Sequence, residues 1–234
     1  MSEFDGKVAI VTGASSGIGR RTAEFLAQRG ARVAVSARSA ERLDAVAAPF
    51  GDRMLAVAGD VSDLAVVERL FAATEGRFGP CSILINNAGM IDPAPLVDTT
   101  IGQWQRMFDV NVHAIFLACR RALPSMLDRG EGAIVNVASI SGIVGPEKFP
   151  GWVSYCASKG AVISLTEALA VEVKSQGVRV NCVSPGSVDT PMWAAASDGA
   201  PASMTAEEVA EAILFLASER SRPMNGQNLN VFSA

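Results

Sequence analysis

Apolar residues run along this chain in two rhythms. Seven short runs, over residues 7–11, 32–36, 54–58, 82–86, 133–138, 178–183 and 228–231, are mostly continuous rather than alternating. That pattern predicts strands buried on both faces. Between them, apolar positions recur every three or four residues. Ile18, Thr22, Phe25 and Leu26 fall on one face of a helix that runs to about residue 29 and stops at Gly30. A second helix is expected over 39–48, closed by Pro49 and Gly51, and a third from a cap at Ser62 to Phe78. Residues 101–129 predict a long helix that Pro124 kinks or divides. Residues 152–176 predict another, with Val162, Leu165, Leu169 and Val173 as its buried stripe and Gly177 as its left-handed stop. The last helix covers 204–217, with Thr205 as cap and Glu208 as its partner in a capping box.

Strands that alternate with helices through short connections predict an α/β fold. The expected form is a doubly wound parallel sheet with helices on both faces, in a single domain over residues 1–234.

Composition then narrows the function classes. Of 234 residues, 49% are apolar, ample for one core, and the formal net charge of −4 argues against nucleic acid as a partner. No apolar run approaches the ~20 residues of a membrane span. The first residues lack the basic and apolar regions of a signal peptide, so a cytoplasmic protein is expected. Cys81, Cys119, Cys156 and Cys182 form no CxxC pair and His113 is the only histidine, which leaves too few ligands for a zinc site. The thiols read as small core residues in a reducing compartment. Cys156 follows Tyr155 and is expected to point about 100° away from it around the helix.

Two stretches carry chemistry. Gly13-x3-Gly17-x-Gly19 joins the first strand to the first helix. There glycine lets the backbone approach a phosphate, and the helix N-terminus offers free N–H groups; a tight packing turn is the alternative. Tyr155 and Lys159 stand four residues apart and share one helix face. The ammonium is expected to favour the phenolate and lower the tyrosine from its usual value of about 10, which suits proton exchange with a substrate oxygen. Such pairs on a helix are usually without function, but Tyr155 is the only tyrosine in the chain.

Thr12-Gly-x3-Gly-x-Gly19, Asn86-Asn87-Ala88-Gly89, Ser139 and Tyr155-x3-Lys159 together, in this order, resemble the short-chain dehydrogenase/reductase family. The resemblance is colinear over nearly the whole chain. It implies a Rossmann sheet of about seven strands, a nicotinamide cofactor and hydride transfer at a carbon–oxygen bond. Gly13, Ser15, Ser16, Gly17, Ile18 and Gly19 would then form the pyrophosphate turn. Asp60 and Val61 would meet the adenine, and Asn87, Ala88 and Gly89 would line the cofactor. Pro185, Gly186, Val188 and Thr190 would contact its nicotinamide end. Tyr155 would be the general acid or base, and Lys159 would supply the charge and grip the ribose. Ser139, favoured over Ser141, would hold the substrate oxygen, and Asn111 would hold a water in a relay to Lys159.

The second strand ends in Ser36-Ala37-Arg38-Ser39, without the carboxylate that bonds an adenosine ribose in NAD-binding folds. Arg38, helped by Ser36 or Ser39, is placed to fork onto a 2′-phosphate, so NADP(H) is favoured over NAD(H). Residues 192–204 make a short lid of small residues without a helical stripe, and the end, residues 230–234, lacks the aspartate and glycines of many relatives. The loop 143–152 is expected to wall the substrate site, with Phe149, Trp152 and Trp193 as apolar contacts. Trp104, Phe108, His113, Phe116 and Leu117 read as core or subunit faces. The reading is a ketone reductase, for instance of 3-oxoacyl thioesters, acting as a homodimer or homotetramer on a small molecule. The alternatives are an NAD-dependent alcohol or sugar dehydrogenase and a non-catalytic dinucleotide-binding sensor or assembly subunit.

Overall fold

The computed structural model describes residues 2–145 and 148–232. Residues 146–147 of the expected wall loop and 233–234 of the atypical end lie outside the described residues. Seven parallel strands form one sheet: β1 (Val8–Thr12), β2 (Arg32–Ala37), β3 (Met54–Ala58), β4 (Ile83–Asn86), β5 (Gly132–Val137), β6 (Val178–Pro185) and β7 (Asn228–Val231). Their spatial order is β3-β2-β1-β4-β5-β6-β7, so the order reverses between β1 and β4, where α/β sheets open a crevice at the strand C-termini. The helices are α1 (Gly17–Gln28), α2 (Ala40–Ala47), α3 (Leu64–Phe78), α4 (Ile101–Phe108), α5 (Ala114–Arg129), α6 (Val153–Glu172), α7 (Pro191–Ala196) and α8 (Ala206–Ala217). None is long and apolar enough to cross a membrane among the described residues.

Strand β1 shows why the runs are continuous. Ala9 and Val11 pack with Leu26 of α1 and Ile213 of α8 on one face, while Ile10 packs with Leu70 of α3 and Ile115 of α5 on the other. Successive side chains point to opposite faces and both faces are covered, so Val8–Val11 are all apolar and only the terminal Thr12 is polar.

Several local expectations are corrected. Helix α3 is capped by Asp63, whose carboxylate accepts from the Ala65 N–H at 2.9 Å; Ser62 instead serves Asp60. The long helix is not broken at Pro124, which lies within α5 on its exposed side. The break is a π-helical turn over Asp109–His113, which sets Asn111 inward with no exposure. On α6 the buried stripe is Tyr155, Ser158, Lys159, Val162, Thr166 and Ala170; Leu165 and Leu169 sit half-buried at its flank. Gly177 is left-handed, φ +74°, but comes after the helix end at Glu172 and packs against the Gly130 carbonyl on the way into β6. The lid contains a short helix after all, α7, capped by Thr190. The capping box of Thr205 and Glu208 opens α8 as expected.

Candidate active site

A cavity of about 710 Å³ runs along the C-terminal edge of the sheet, from the end of β2 past β1, β4 and β5 to α7. Its floor is the turn from β1 into α1. Gly13 takes φ +67°, and a side chain there would strike Ala88 at 2.7 Å. Asn87 ties the turn to β4: its Nδ2 donates to the Thr12 carbonyl at 3.0 Å and the Gly13 carbonyl at 3.1 Å. Thr12 Oγ1 answers by accepting from the Asn87 and Ala88 N–H groups, both at 3.1 Å. The cap of α1, Ser16, makes no side-chain bond, and no acidic residue lies in the first turn. The helix therefore presents free N–H groups and a positive dipole end to the cavity, which fits a pyrophosphate. Gly13, Ser15, Ser16, Gly17 and Ile18 all line it. Gly19 does not; its missing side chain leaves room for Asn87, whose Nδ2 would lie 2.3 Å from a Cβ.

At the β2 end the cavity is lined by Arg38, Ser39 and also Arg42, which the sequence reading missed although it stands one helical turn beyond Arg38. Ser39 caps α2. Ser36 is wholly buried, its hydroxyl without a partner, so it is not a donor to the cavity. Asp60 and Val61 line the same end. The Asp60 carboxylate accepts from the Ser62 N–H at 3.0 Å and hydroxyl at 2.7 Å and pairs with the Arg106 guanidinium. Partial burial works against its charge, but the bonds from Ser62 and Arg106 hold the carboxyl down at about 2. Arg106 was not foreseen; its signal is spatial, since α4 is 46 residues from Asp60 in sequence.

At the far end, Ser139 follows β5 and Tyr155 rises from the first turn of α6. The Ser139 hydroxyl beside the phenol favours its charged form, yet burial dominates and pushes the phenol up to about 12. This overturns the expectation that Lys159 would lower it. Lys159 is itself buried, which brings its ammonium down to about 8, and its Nζ donates to the Val137 carbonyl at 2.9 Å. Ser141 is buried, and its N–H donates to Ser139 Oγ at 3.2 Å. Asn111 does not line the cavity. Its Oδ1 accepts from the Met90 N–H at 2.8 Å, and its Nδ2 lies 3.0 Å from the Met90 carbonyl and 2.9 Å from Ser158 Oγ. Gly89 intervenes between it and Lys159: a Cβ there would lie 3.4 Å from both.

Asn87, Ala88, Gly89, Pro185, Gly186, Val188 and Thr190 all reach the cavity, as do Phe149, Trp152 and Trp193. Met90 and Ile91, just past the Asn-Asn-Ala-Gly run, complete the apolar wall and were not foreseen. Cys156 packs beside Trp152 and Tyr155 without lining the cavity.

Residues 7–201 match the short chain dehydrogenase family model. The chain is similar to the 2-(R)-hydroxypropyl-CoM dehydrogenase of Xanthobacter autotrophicus, 41% identical over 95% of this chain and 96% of the relative. It is 39% identical to the cis-4-hydroxycyclohexanecarboxylate dehydrogenase of Sinomonas cyclohexanicum, over 97% and 96% of the two chains. Among solved structures, the 3-ketoacyl-(acyl-carrier-protein) reductase of Brucella melitensis, complexed with NADH, superposes with a TM-score of 0.91 at 33% identity, covering 97% of both chains. The chain belongs to the short-chain dehydrogenase family. It is an oxidoreductase of a family that binds nicotinamide dinucleotides and acts on alcohols and ketones.

Proposed function

We propose that this protein reduces ketones, and in reverse oxidises secondary alcohols, with NADP(H) as cofactor, in one domain that carries both sites. The observation behind this reading is the meeting of the Ser139 hydroxyl and the Tyr155 phenol, above the buried Lys159, in the cavity that the α1 N-terminus opens into. When bound, the nicotinamide supplies or accepts the hydride at the substrate carbon. Ser139 donates to the substrate oxygen and fixes its position. Tyr155 delivers the proton to that oxygen, and its burial keeps the phenol neutral, the form that reduction consumes. Lys159 places a positive charge beside the phenolate left behind and grips the nicotinamide ribose. Asn111 acts one step back: it pins Met90 and Ser158 around Lys159.

NADP(H) is favoured because Arg38 and Arg42 both line the β2 end of the cavity and neither is drawn into an ion pair among the described residues, whereas Arg106, the other arginine of the lining, is held by Asp60. Two unpaired guanidiniums lining a cavity in an acidic protein suit a 2′-phosphate, which each can fork. The four free cysteines suit a reducing compartment such as the cytoplasm. Exposed apolar side chains on α5 and α6, Phe116 and Val171, suit burial between subunits of a homo-oligomer. The test is ketone-dependent oxidation of NADPH by the wild type and by Tyr155→Phe. Turnover lost with NADPH binding kept supports the reading, whereas a wild type that reduces nothing in a broad carbonyl panel would favour the non-catalytic sensor.

A further inference from the structure

Charge is distributed unevenly along the cavity. Arg38, Arg42, Asp60 and Arg106 crowd the end near β2, and Lys159 sits at the reaction centre. Beyond Tyr155 the walls are Met90, Ile91, Phe149, Trp152, Trp193 and Ala196, and no ionisable side chain faces that compartment among the described residues. Lys148, on the loop beside it, is drawn back into its own backbone: its ammonium donates to the Ser141 carbonyl at 2.8 Å and the Ile143 carbonyl at 2.5 Å.

Several hydrogen-bonding groups of the wall are occupied as well. The Trp193 indole N–H donates to the Ala200 carbonyl at 2.8 Å. Both backbone polar groups of Met90 are bonded to Asn111. The Ser187 hydroxyl pairs with that of Ser203 at 2.9 Å. Ser139 and Tyr155 are left to meet the reacting substrate oxygen, and the only other unbonded side-chain donors among these wall residues are uncharged, the Trp152 indole N–H and the Ser141 hydroxyl. The aromatic faces are held in place: Trp152 stands edge-on to Tyr155, 84° at 5.6 Å, and to Trp193, 78° at 6.5 Å, with Phe149 4.7 Å behind it. Such a surface rewards flat contact with hydrocarbon, gives a charged group no counter-charge and gives a polyol fewer partners than it has hydroxyls.

We infer that the substrate is a neutral, largely hydrocarbon ketone or secondary alcohol, with a ring or branched alkyl group held between Trp152, Trp193, Met90 and Ile91. It is not an anion, a polyol, or a thioester carried on a phosphorylated handle. The inference rests on the reductase reading above and names the substrate class of that site.

The test compares kcat/KM at saturating NADPH for 4-methylcyclohexanone, its anionic isostere 4-oxocyclohexanecarboxylate, the keto-tetrose erythrulose and acetoacetyl-CoA. A carboxylate gains no counter-charge in this compartment and a polyol too few partners, so the neutral ring is expected to lead by about 100-fold or more. Equal or better turnover of the carboxylate, the tetrose or the CoA thioester overturns the inference and leaves the reductase reading intact. A second readout needs no turnover. Two of the three tryptophans line this compartment, so the Tyr155→Phe protein with NADPH bound is titrated with each ketone while tryptophan emission is followed. Quenching by the neutral ring at concentrations about 100-fold below the carboxylate supports the substrate class even if the wild type reduces nothing, which would refute the reductase reading alone. Equal quenching by both overturns the substrate class.

Discussion

The Lys159 ammonium lies 5.7 Å from the centre of the Tyr155 ring and donates to the Val137 carbonyl rather than toward the phenol. Burial therefore governs both groups, raising the tyrosine to about 12 and bringing the lysine to about 8. The two shifts favour the neutral phenol at every physiological pH. Reduction, which needs that neutral phenol, is expected to be independent of pH up to about 8 and to fall above it as Lys159 loses its charge. Oxidation needs the proton removed and is expected to gain as pH rises from 7. Profiles of kcat/KM in both directions between pH 6 and 10 check this. Tyr155→Phe removes the proton donor and is expected to cost roughly 10²–10⁴-fold in both directions. Retention of a tenth of wild-type activity would sink the assignment.

The same lysine is expected to weaken the fold at neutral pH. Its pKa of about 8 in the folded protein lies below its ordinary 10.5, so the unfolded chain binds the proton more tightly between those values. Stability attributable to Lys159 consequently rises with pH through that window, and below about 8 the full cost of burying the charge is present, on the order of 3 kcal/mol. Lys159→Met removes that cost, less the penalty of leaving the Val137 carbonyl without its partner. The variant, though inactive, is expected to melt a few degrees above wild type at pH 7, with the advantage shrinking toward pH 10. Tyr155 has the opposite sign, a raised value, and loses stability only above about pH 10, outside the comparison. Melting curves at pH 7 and 9.5 decide: an advantage that does not change with pH would show that the charge is not the cause.

The elements that follow from local rules were legible before the structure. Strands β3 and β7 fall where the apolar runs put them, and the box of Thr205 and Glu208 needs only neighbours three residues apart. The Gly13 turn was legible too, because a strand, three glycines and a helix are adjacent in sequence. What failed depends on partners far along the chain. The π-helical turn at Asp109–His113 exists where Asn111 reaches Met90 and Ser158, and no periodicity encodes that. Ser62 was a sound cap by type, but Asp60 and Arg106 recruit it and Asp63 takes the helix. The tyrosine shift was misjudged because i, i+4 spacing states which face two groups share but not how deeply one of them is buried, here with Trp152 packed edge-on against it.

Arg38 and Arg42 should act together on cofactor choice. Each alanine variant is expected to weaken NADPH binding by about tenfold or more, as loss of a charge-assisted bond does, with little change for NADH. Arg38 is exposed, so its effect is expected to shrink with added salt. Calorimetry with NADPH, NADH, 2′,5′-ADP and 5′-ADP separates the contributions. A wild type that binds 2′,5′-ADP no better than 5′-ADP refutes the phosphate assignment as a whole. A wild type with that preference and an unaffected Arg42→Ala refutes the second arginine only.

Two glycines give opposite expectations for the same substitution. In α1, a Cβ at Gly19 would lie 2.3 Å from Asn87 Nδ2 and 2.5 Å from the Gly13 carbonyl. Neither can retreat cheaply, since Asn87 is what ties the Gly13 carbonyl to β4. Gly19→Ala is therefore expected to push the phosphate turn away from the sheet. Binding of NADPH and NADH should weaken alike, by tenfold or more, because the pyrophosphate common to both loses its cradle, and the melting temperature should fall. In α3, a Cβ at Gly76 meets nothing within 4 Å, and the residue is helical, so Gly76→Ala should stabilise by about 0.5–1 kcal/mol and leave both affinities unchanged. Gly19→Ala binding that discriminates between the two cofactors would place the damage at the adenosine end, by Arg38, and not at the turn. Equal losses, beside an unaffected Gly76→Ala, would locate it where Asn87 meets Gly13.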